Sequence, residues 1–177
     1  NFLDKFSYFS ETPIAAASIG QVHKCHYGGK DLILKIQYPK IRESIESDIN
    51  NIRLLTKNTG ILPKSFDFEK LLEAGKIQLL NETDYCLEAK HQKTFYQLLE
   101  TDKKFIVPIV NENLTTTKIL AMEYKEGITI DQVAHLDQKT KNSVVKSLVE
   151  LAFKEIFEFN LIQTDPNFAN FLYDDKS

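Results

Sequence analysis

The sequence predicts a mixed α+β fold in which a strand pair near the N-terminus is followed by two helical runs, two further strands and a long helix. An alternating run ending at Tyr27 and the apolar run Leu32–Ile36 meet around Gly28-Gly29. Paired glycines supply the positive φ that a tight antiparallel turn needs, so this pair predicts a β-hairpin. Apolar residues then recur at three- and four-residue steps over residues 40–58, 67–80 and 137–160, the period of helices with one buried face. A length of 177 residues, 42% of them hydrophobic and 27% charged, is enough for a real core in about one domain.

Taken in order, residues 1–12 hold Phe2, Leu3, Phe6, Tyr8 and Phe9, which suit a short helix or an aromatic staple. Small residues Ala15-Ala16-Ala17-Ser18 precede the first strand, where they let backbone approach backbone or a ligand closely. Ile41, Ile45, Ile49, Ile52, Leu54 and Leu55 form the apolar side of the first helix, which Asn58-Thr59-Gly60 and Pro63 break. The second helical run leads into Glu82-Thr83-Asp84-Tyr85, with Phe95, Leu98 and Leu99 continuing its apolar side. Phe105–Pro108 and Lys118–Met122 are expected as two further strands. The last helix carries Val144, Val145, Leu148, Leu151, Ala152, Ile156 and Phe159 and delivers the chain to Gln163-Thr164-Asp165-Pro166-Asn167.

Composition excludes some classes of function. A net charge of −3 leaves no basic surplus to neutralise nucleic-acid phosphates. Cys25 and Cys86 stand far apart with no Cys/His cluster, which predicts free thiols rather than a disulfide framework or a zinc site. No apolar run reaches the roughly 18 residues that a membrane-crossing helix requires. The chain opens at Asn1 in what reads as folded sequence, so both ends are expected to be cut and no targeting segment is legible.

Two features carry chemistry. Asp165 stands five residues before Asn170, the D-x-x-x-x-N spacing of a kinase catalytic loop, in which the Asp takes the proton of the attacking hydroxyl and the Asn oxygen holds Mg²⁺. The same letters also suit a helix-ending turn. Lys35 lies among apolar residues in a strand, where a lysine either blunts an exposed sheet edge or faces a cleft and binds nucleotide phosphates. Glu82, Asp84 and Glu88 by themselves read as a solvated helix face.

The order of these pieces is that of a kinase, and the wording is more specific. Ala15–His23, Lys35-Ile36-Gln37-Tyr38-Pro39, Glu82-Thr83-Asp84-Tyr85 with Glu88-Ala89, and Gln163–Asn167 with Asn170-Phe171 resemble the UbiB family of atypical kinases, the aarF-domain group linked to coenzyme Q biosynthesis. The resemblance spans residues 13–173. It implies a protein-kinase-like two-lobe fold, with an N-lobe carrying inserted helices over residues 1–124 and a hinge and catalytic loop over residues 125–177, cut before the D-F-G segment.

The resemblance also implies roles. Ala15, Ala16, Ala17 and Ser18 would form an alanine-rich nucleotide loop, and Lys35 would contact the phosphates of ATP or ADP with Glu82 as its ion-pair partner. Met122 would be the gatekeeper, with Glu123, Tyr124 and Lys125 as the hinge. Asp165 would be the catalytic aspartate and Asn170 a Mg²⁺ ligand. Without the resemblance, Glu43 or Glu46 would be the partner chosen for Lys35. Alanine disfavours the positive φ that glycine permits, so the loop should wrap phosphates less closely and transfer to protein substrates should be weak.

Implied partners are nucleotide, isoprenoid-quinone precursors and other coenzyme Q biosynthesis proteins, with peripheral membrane contact. The implied place is the matrix side of the mitochondrial inner membrane. Three departures stand out: no K-x-G-Q motif is present, Gln78 replaces the glutamate usual in the family four residues before Glu82, and no D-F-G follows Asn170, so the fragment alone is expected to be inactive. A nucleotide-binding pseudokinase or scaffold, and a small-molecule phosphotransferase of kinase-like fold, are the alternative functions.

Overall fold

The computed structural model describes residues 2–59, 67–163 and 168–174. The chain divides into two compact units, Asn1–Gln97 with Val107–Tyr124, and Leu98–Ile106 with Lys125–Ser177.

The first unit is built on an antiparallel sheet of five strands: β1 (Tyr8–Phe9), β2 (Ala15–Ala17), β3 (Gly20–Tyr27), β4 (Lys30–Gln37) and β5 (Ile119–Glu123). The β3–β4 hairpin turns at Gly28-Gly29, with φ of 58° and 78°, the left-handed values that the glycine pair predicted. The alanines do not form an open loop. They pair as β2 with β3, Ala15 opposite Val22 and Ala17 opposite Gly20, and only Ser18-Ile19 form the turn.

Alternation along β4 divides its side chains between two faces. Leu32 and Leu34 are buried with Cys25, Leu114 and Ala121, and Phe6, Phe9 and Tyr27 pack against that cluster. Ile33, Lys35 and Gln37 occupy the opposite face. There Leu120 of β5 joins Tyr85 and Ala89 of helix α3 (Tyr85–Leu99) in a second cluster, with Ile19, Val110 and Met122 packed on it.

Between β4 and α3 the chain makes a helical pair, α1 (Ile41–Thr59) and α2 (Phe68–Glu82), with a small core of its own from Ile45, Ile49 and Leu72. Asp67 caps α2 by accepting from the Lys70 N–H at 3.3 Å. The run into Glu88 is not a single helix. Thr83 ends α2, its hydroxyl donating to Leu80 O at 2.6 Å, and the Asp84 carboxylate accepts from the Cys86 N–H at 3.0 Å to open α3. These are the competing side-chain-to-backbone bonds that make Thr and Asp helix breakers.

The expected strand at Phe105–Pro108 is absent. Proline has no N–H to give a ladder, and only Val110 bridges to Met122, after which Asn111 N–H donates to Ala121 O at 2.8 Å. Pro108 O is taken instead by the Gln92 side chain at 2.6 Å.

The second unit centres on α5 (Gln138–Phe157), opened by Asp137, whose carboxylate accepts from the N–H groups of Lys139 and Thr140. Val144 and Leu151 are buried as the period predicts, but Glu155 joins them, while Val145 and Ile156 face outwards. Asp102 pairs with Lys154 at 3.1 Å and Lys104 with Glu150 at 2.8 Å, tying the 98–106 segment to this helix. A short helix α4 (Ile130–Val133) follows β6 (Ile128–Thr129), which pairs antiparallel with β7 (Leu172–Tyr173). Gly127 permits that approach, since a Cβ there would lie 2.9 Å from Tyr173 O.

Candidate functional site

Lys35 stands at the centre of the sheet, not at its edge. Its strand β4 is paired on both sides, with Lys35 opposite Val22 of β3 and opposite Leu120 of β5. The edge-blunting reading of this lysine is therefore overturned. Its ammonium is anchored by a two-pronged contact with Glu88, 2.8 Å to Oε1 and 3.1 Å to Oε2, and lies 5.0 Å from the centroid of the Tyr85 ring.

The partner is thus Glu88, not the expected Glu82. The reason is helical geometry. Glu82 is the exposed last residue of α2, before the Thr83-Asp84 break, whereas α3 presents Tyr85, Glu88, Ala89 and Gln92 on one face by their three- and four-residue steps. Tyr85, Ala89 and Leu120 pack together, and Glu88 falls on that same side, where the lysine emerges. Glu43 and Glu46 belong to α1, in the inserted helical pair. Glu88 could have been found from sequence by placing the helix start after Asp84 and asking which carboxylate shares a face with Ala89.

The surroundings of the pair are dry on one side. Tyr85 is fully buried and its hydroxyl has no hydrogen-bond partner. Burial first, and the nearby Glu88 charge second, push its phenol above the ordinary tyrosine range. The Lys35 and Glu88 side chains are still 24% and 40% exposed, so the pair is open to a ligand from the other side.

The alanine hairpin abuts this strand system through β3. Ala15, Ala16 and Ser18 are exposed and Ala17 is half-buried, so methyl groups rather than bare backbone line the hairpin tip. No described non-glycine residue other than Lys40 and Asn160 has a positive φ, so the alanines sit in ordinary extended backbone. Met122 lies in β5 with the Gln92 amide 3.4 Å from its Sδ. After it, Glu123 N–H donates to Ile109 O at 2.9 Å and Tyr124 N–H to Asp31 O at 3.0 Å. The N–H groups of Glu123 and Tyr124, two of the three expected hinge residues, are therefore spent on the fold. Lys24 sits over the Tyr124 ring at 3.9 Å and Lys30 lies 3.8 Å from Glu123.

In the second unit, Asp165 falls outside the described residues, and Asn170 ends a short 3-10 turn, Phe168–Asn170, with its side chain exposed. The approaches to this segment are fixed within the unit. On the entry side, buried Glu155 accepts from the Gln163 N–H at 3.1 Å, and its own carbonyl accepts from Leu161 N–H at 3.0 Å. On the exit side Leu172 and Tyr173 are paired into β7. Glu155 therefore ties the end of α5 to the Gln163 backbone, a contact that the helical period concealed because Glu155 occupies an otherwise apolar face.

Among the described residues no three His, Cys, Asp or Glu side chains come together as a metal site. An open cleft of about 390 Å³ beside α3, bordered by Cys86, Lys90, Val110 and Thr115, includes none of the nominated residues. Cys25 is buried and Cys86 exposed, and both are free thiols.

The profile of the ABC1 atypical kinase-like domain matches residues 1–177. The chain belongs to this family. Among its ABC1 relatives, atypical kinase COQ8B, mitochondrial, of Danio rerio is 42% identical over 98% of this chain and 28% of the relative. Atypical kinase COQ8, mitochondrial, of Saccharomyces cerevisiae is 40% identical over the whole of this chain and 36% of the relative. The chain therefore spans about a third of the length of these relatives. A solved structure, described as the complex of Rv3197 with erythromycin from Mycobacterium tuberculosis, superposes with a TM-score of 0.83 at 28% identity, over 97% of this chain and 44% of the other. The expected kinase-like mixed α/β fold is thus established for this ABC1 chain.

Proposed function

We propose that this ABC1 chain is the nucleotide-binding part of an atypical kinase or ATPase that works with Mg²⁺ and supports coenzyme Q biosynthesis. The observation that carries the reading is the Lys35–Glu88 pair on the central strand, beside the β2–β3 hairpin. A lysine held by a helix glutamate in this way is poised to contact nucleotide phosphates, and phosphoryl transfer needs chiefly positioning and neutralisation of charge. Asp165 would orient the attacking hydroxyl or water, and Asn170 would offer its side-chain oxygen to the metal. An Asp/Asn oxygen set suits Mg²⁺, which when bound neutralises charge on the phosphates. With the Glu123 and Tyr124 N–H groups engaged, an adenine edge would be met near β5 by other backbone groups.

The relatives' mitochondrial names favour the same organelle here, with the matrix face of the inner membrane as the finer proposal. No described helix is long and apolar enough to cross a membrane. Peripheral membrane contact belongs to the same proposal. Quinone precursors and other proteins of the pathway are the proposed partners.

Thermal unfolding with ADP or ATP and Mg²⁺ tests the core of this reading. A ligand at 100 times its Kd should add about 2.7 kcal/mol of stability, roughly 5–10 °C in Tm for a chain of this size. Chelating the metal should diminish the shift and Lys35→Ala should remove most of it. Absence of any shift at millimolar nucleotide in the unaltered protein would remove the proposal.

A further inference from the structure

The phrase Lys35-Ile36-Gln37-Tyr38-Pro39 contains a side chain that the Lys35–Glu88 pair does not account for. Gln37 lies two residues after Lys35 on the same face of β4, and its amide nitrogen donates to Thr83 O at 2.7 Å and to Thr117 O at 3.3 Å. Both partners are carbonyls, so only the –NH₂ end of the amide can serve. Thr117 O also accepts from the Tyr85 N–H at 3.1 Å, the first residue of α3. One glutamine therefore joins the end of β4, the α2–α3 corner and the turn before β5.

We infer that Gln37 is a positioning residue for the Lys35–Glu88 pair. Between Gln37 and Thr83, 46 positions apart, the chain makes the α1–α2 excursion, which packs on a core of its own. A long excursion between the strand bearing the lysine and the helix bearing the glutamate has to be closed at its root. The Tyr85 N–H to Thr117 O bond and the packing of Tyr85 on Leu120 hold α3's start to β5, and a tie to β4 itself is still needed. Gln37 makes that join at the root. Glu88 lies one turn after the Thr83–Tyr85 corner, so fixing that corner fixes where its carboxylate meets the lysine. The strand beneath is set as well: Gly20 lies opposite Gln37, and a Cβ at Gly20 would lie only 2.3 Å from Ile36 O.

This inference rests on the proposed nucleotide site for its consequence but not for its geometry, and the test separates the two. In the full-length chain, Gln37→Met keeps length without donors, and Gln37→Glu sets a carboxylate against two carbonyls. Amide exchange over residues 85–89 should rise roughly tenfold in both variants while α5 keeps its protection. Affinity for Mg·ADP should fall roughly tenfold, but less than about twofold when Glu88→Gln is already present, because the two changes act on one pair. Unchanged exchange over residues 85–89 overturns the inference, as does an equal loss of affinity with and without Glu88. Should the unaltered protein bind no nucleotide, the proposed function fails alone, and the exchange measurement still decides the role of Gln37.

Discussion

Which glutamate holds Lys35 is a question for single residues, and it has a measurable answer. Glu88 is within 2.8 Å of the ammonium and 40% exposed, so its worth lies less in stability than in orienting the lysine. Glu88→Gln retains the shape and removes the charge. Affinity for Mg·ADP is expected to fall roughly tenfold, about 1.4 kcal/mol. Glu82→Gln, at the exposed end of α2, should leave affinity within about twofold. Equilibrium titration of the two variants distinguishes them, and a larger loss from Glu82→Gln would return the pairing to Glu82.

At the scale of elements, the β2–β3 hairpin is where sequence and structure part most usefully. Gly28-Gly29, the helical periods and Lys35 in a strand were all legible, because each is a local pattern with a local cause. That the alanines form a paired strand was not, since alanine has little strand propensity and β2 exists only because β3 offers it partners. The missing strand at Phe105–Pro108 fails for a readable reason, the proline, whereas the Glu88 pairing depends on where α3 begins. Asp165 and Asn170 were legible as a spacing, and their approaches, through Glu155 and β7, were not, because those contacts are tertiary.

The hairpin also carries a prediction: Ala16, exposed opposite Gln21 in β2, should become freer as glycine. Loss of strand stability of about 0.5–1 kcal/mol is expected for Ala16→Gly, with altered ADP and ATP affinity and raised autophosphorylation. Denaturant midpoints, titrations and phosphate incorporation read the three effects. No change in either affinity or autophosphorylation would show that the methyl groups do not govern phosphate positioning.

For the whole molecule, the pH limits of stability follow from which groups fold with altered pKa values. On the acid side Asp31, Asp102, Glu112 and Asp137 all lie below the ordinary carboxylate range. The largest causes are, in turn, the His26 side chain, the Lys104 N–H, the Lys93 ammonium and the Thr140 hydroxyl. A depressed folded value means that the unfolded chain takes up protons first. The stability these groups contribute is therefore present above their unfolded values near about 4, and is lost as pH falls through the lower folded values. On the alkaline side burial, assisted by Asp31, pushes the Cys25 thiol up to about 11, and burial raises the Tyr85 phenol. Raised acids work the other way: their contribution is complete below the unfolded values, about 8.5 for the thiol and about 10 for the phenol, and declines above them. Denaturant unfolding across pH should therefore give a plateau from about 5 to about 8, falling on both sides. Cys25→Ser, whose hydroxyl does not ionise in this range, should flatten the alkaline descent between pH of about 8.5 and 11, and Asp102→Asn should flatten part of the acid one. An alkaline limb that is identical in the Cys25 variant would mean that the thiol ionises as readily folded as unfolded, in conflict with its burial beneath the sheet beside Leu32 and Leu34.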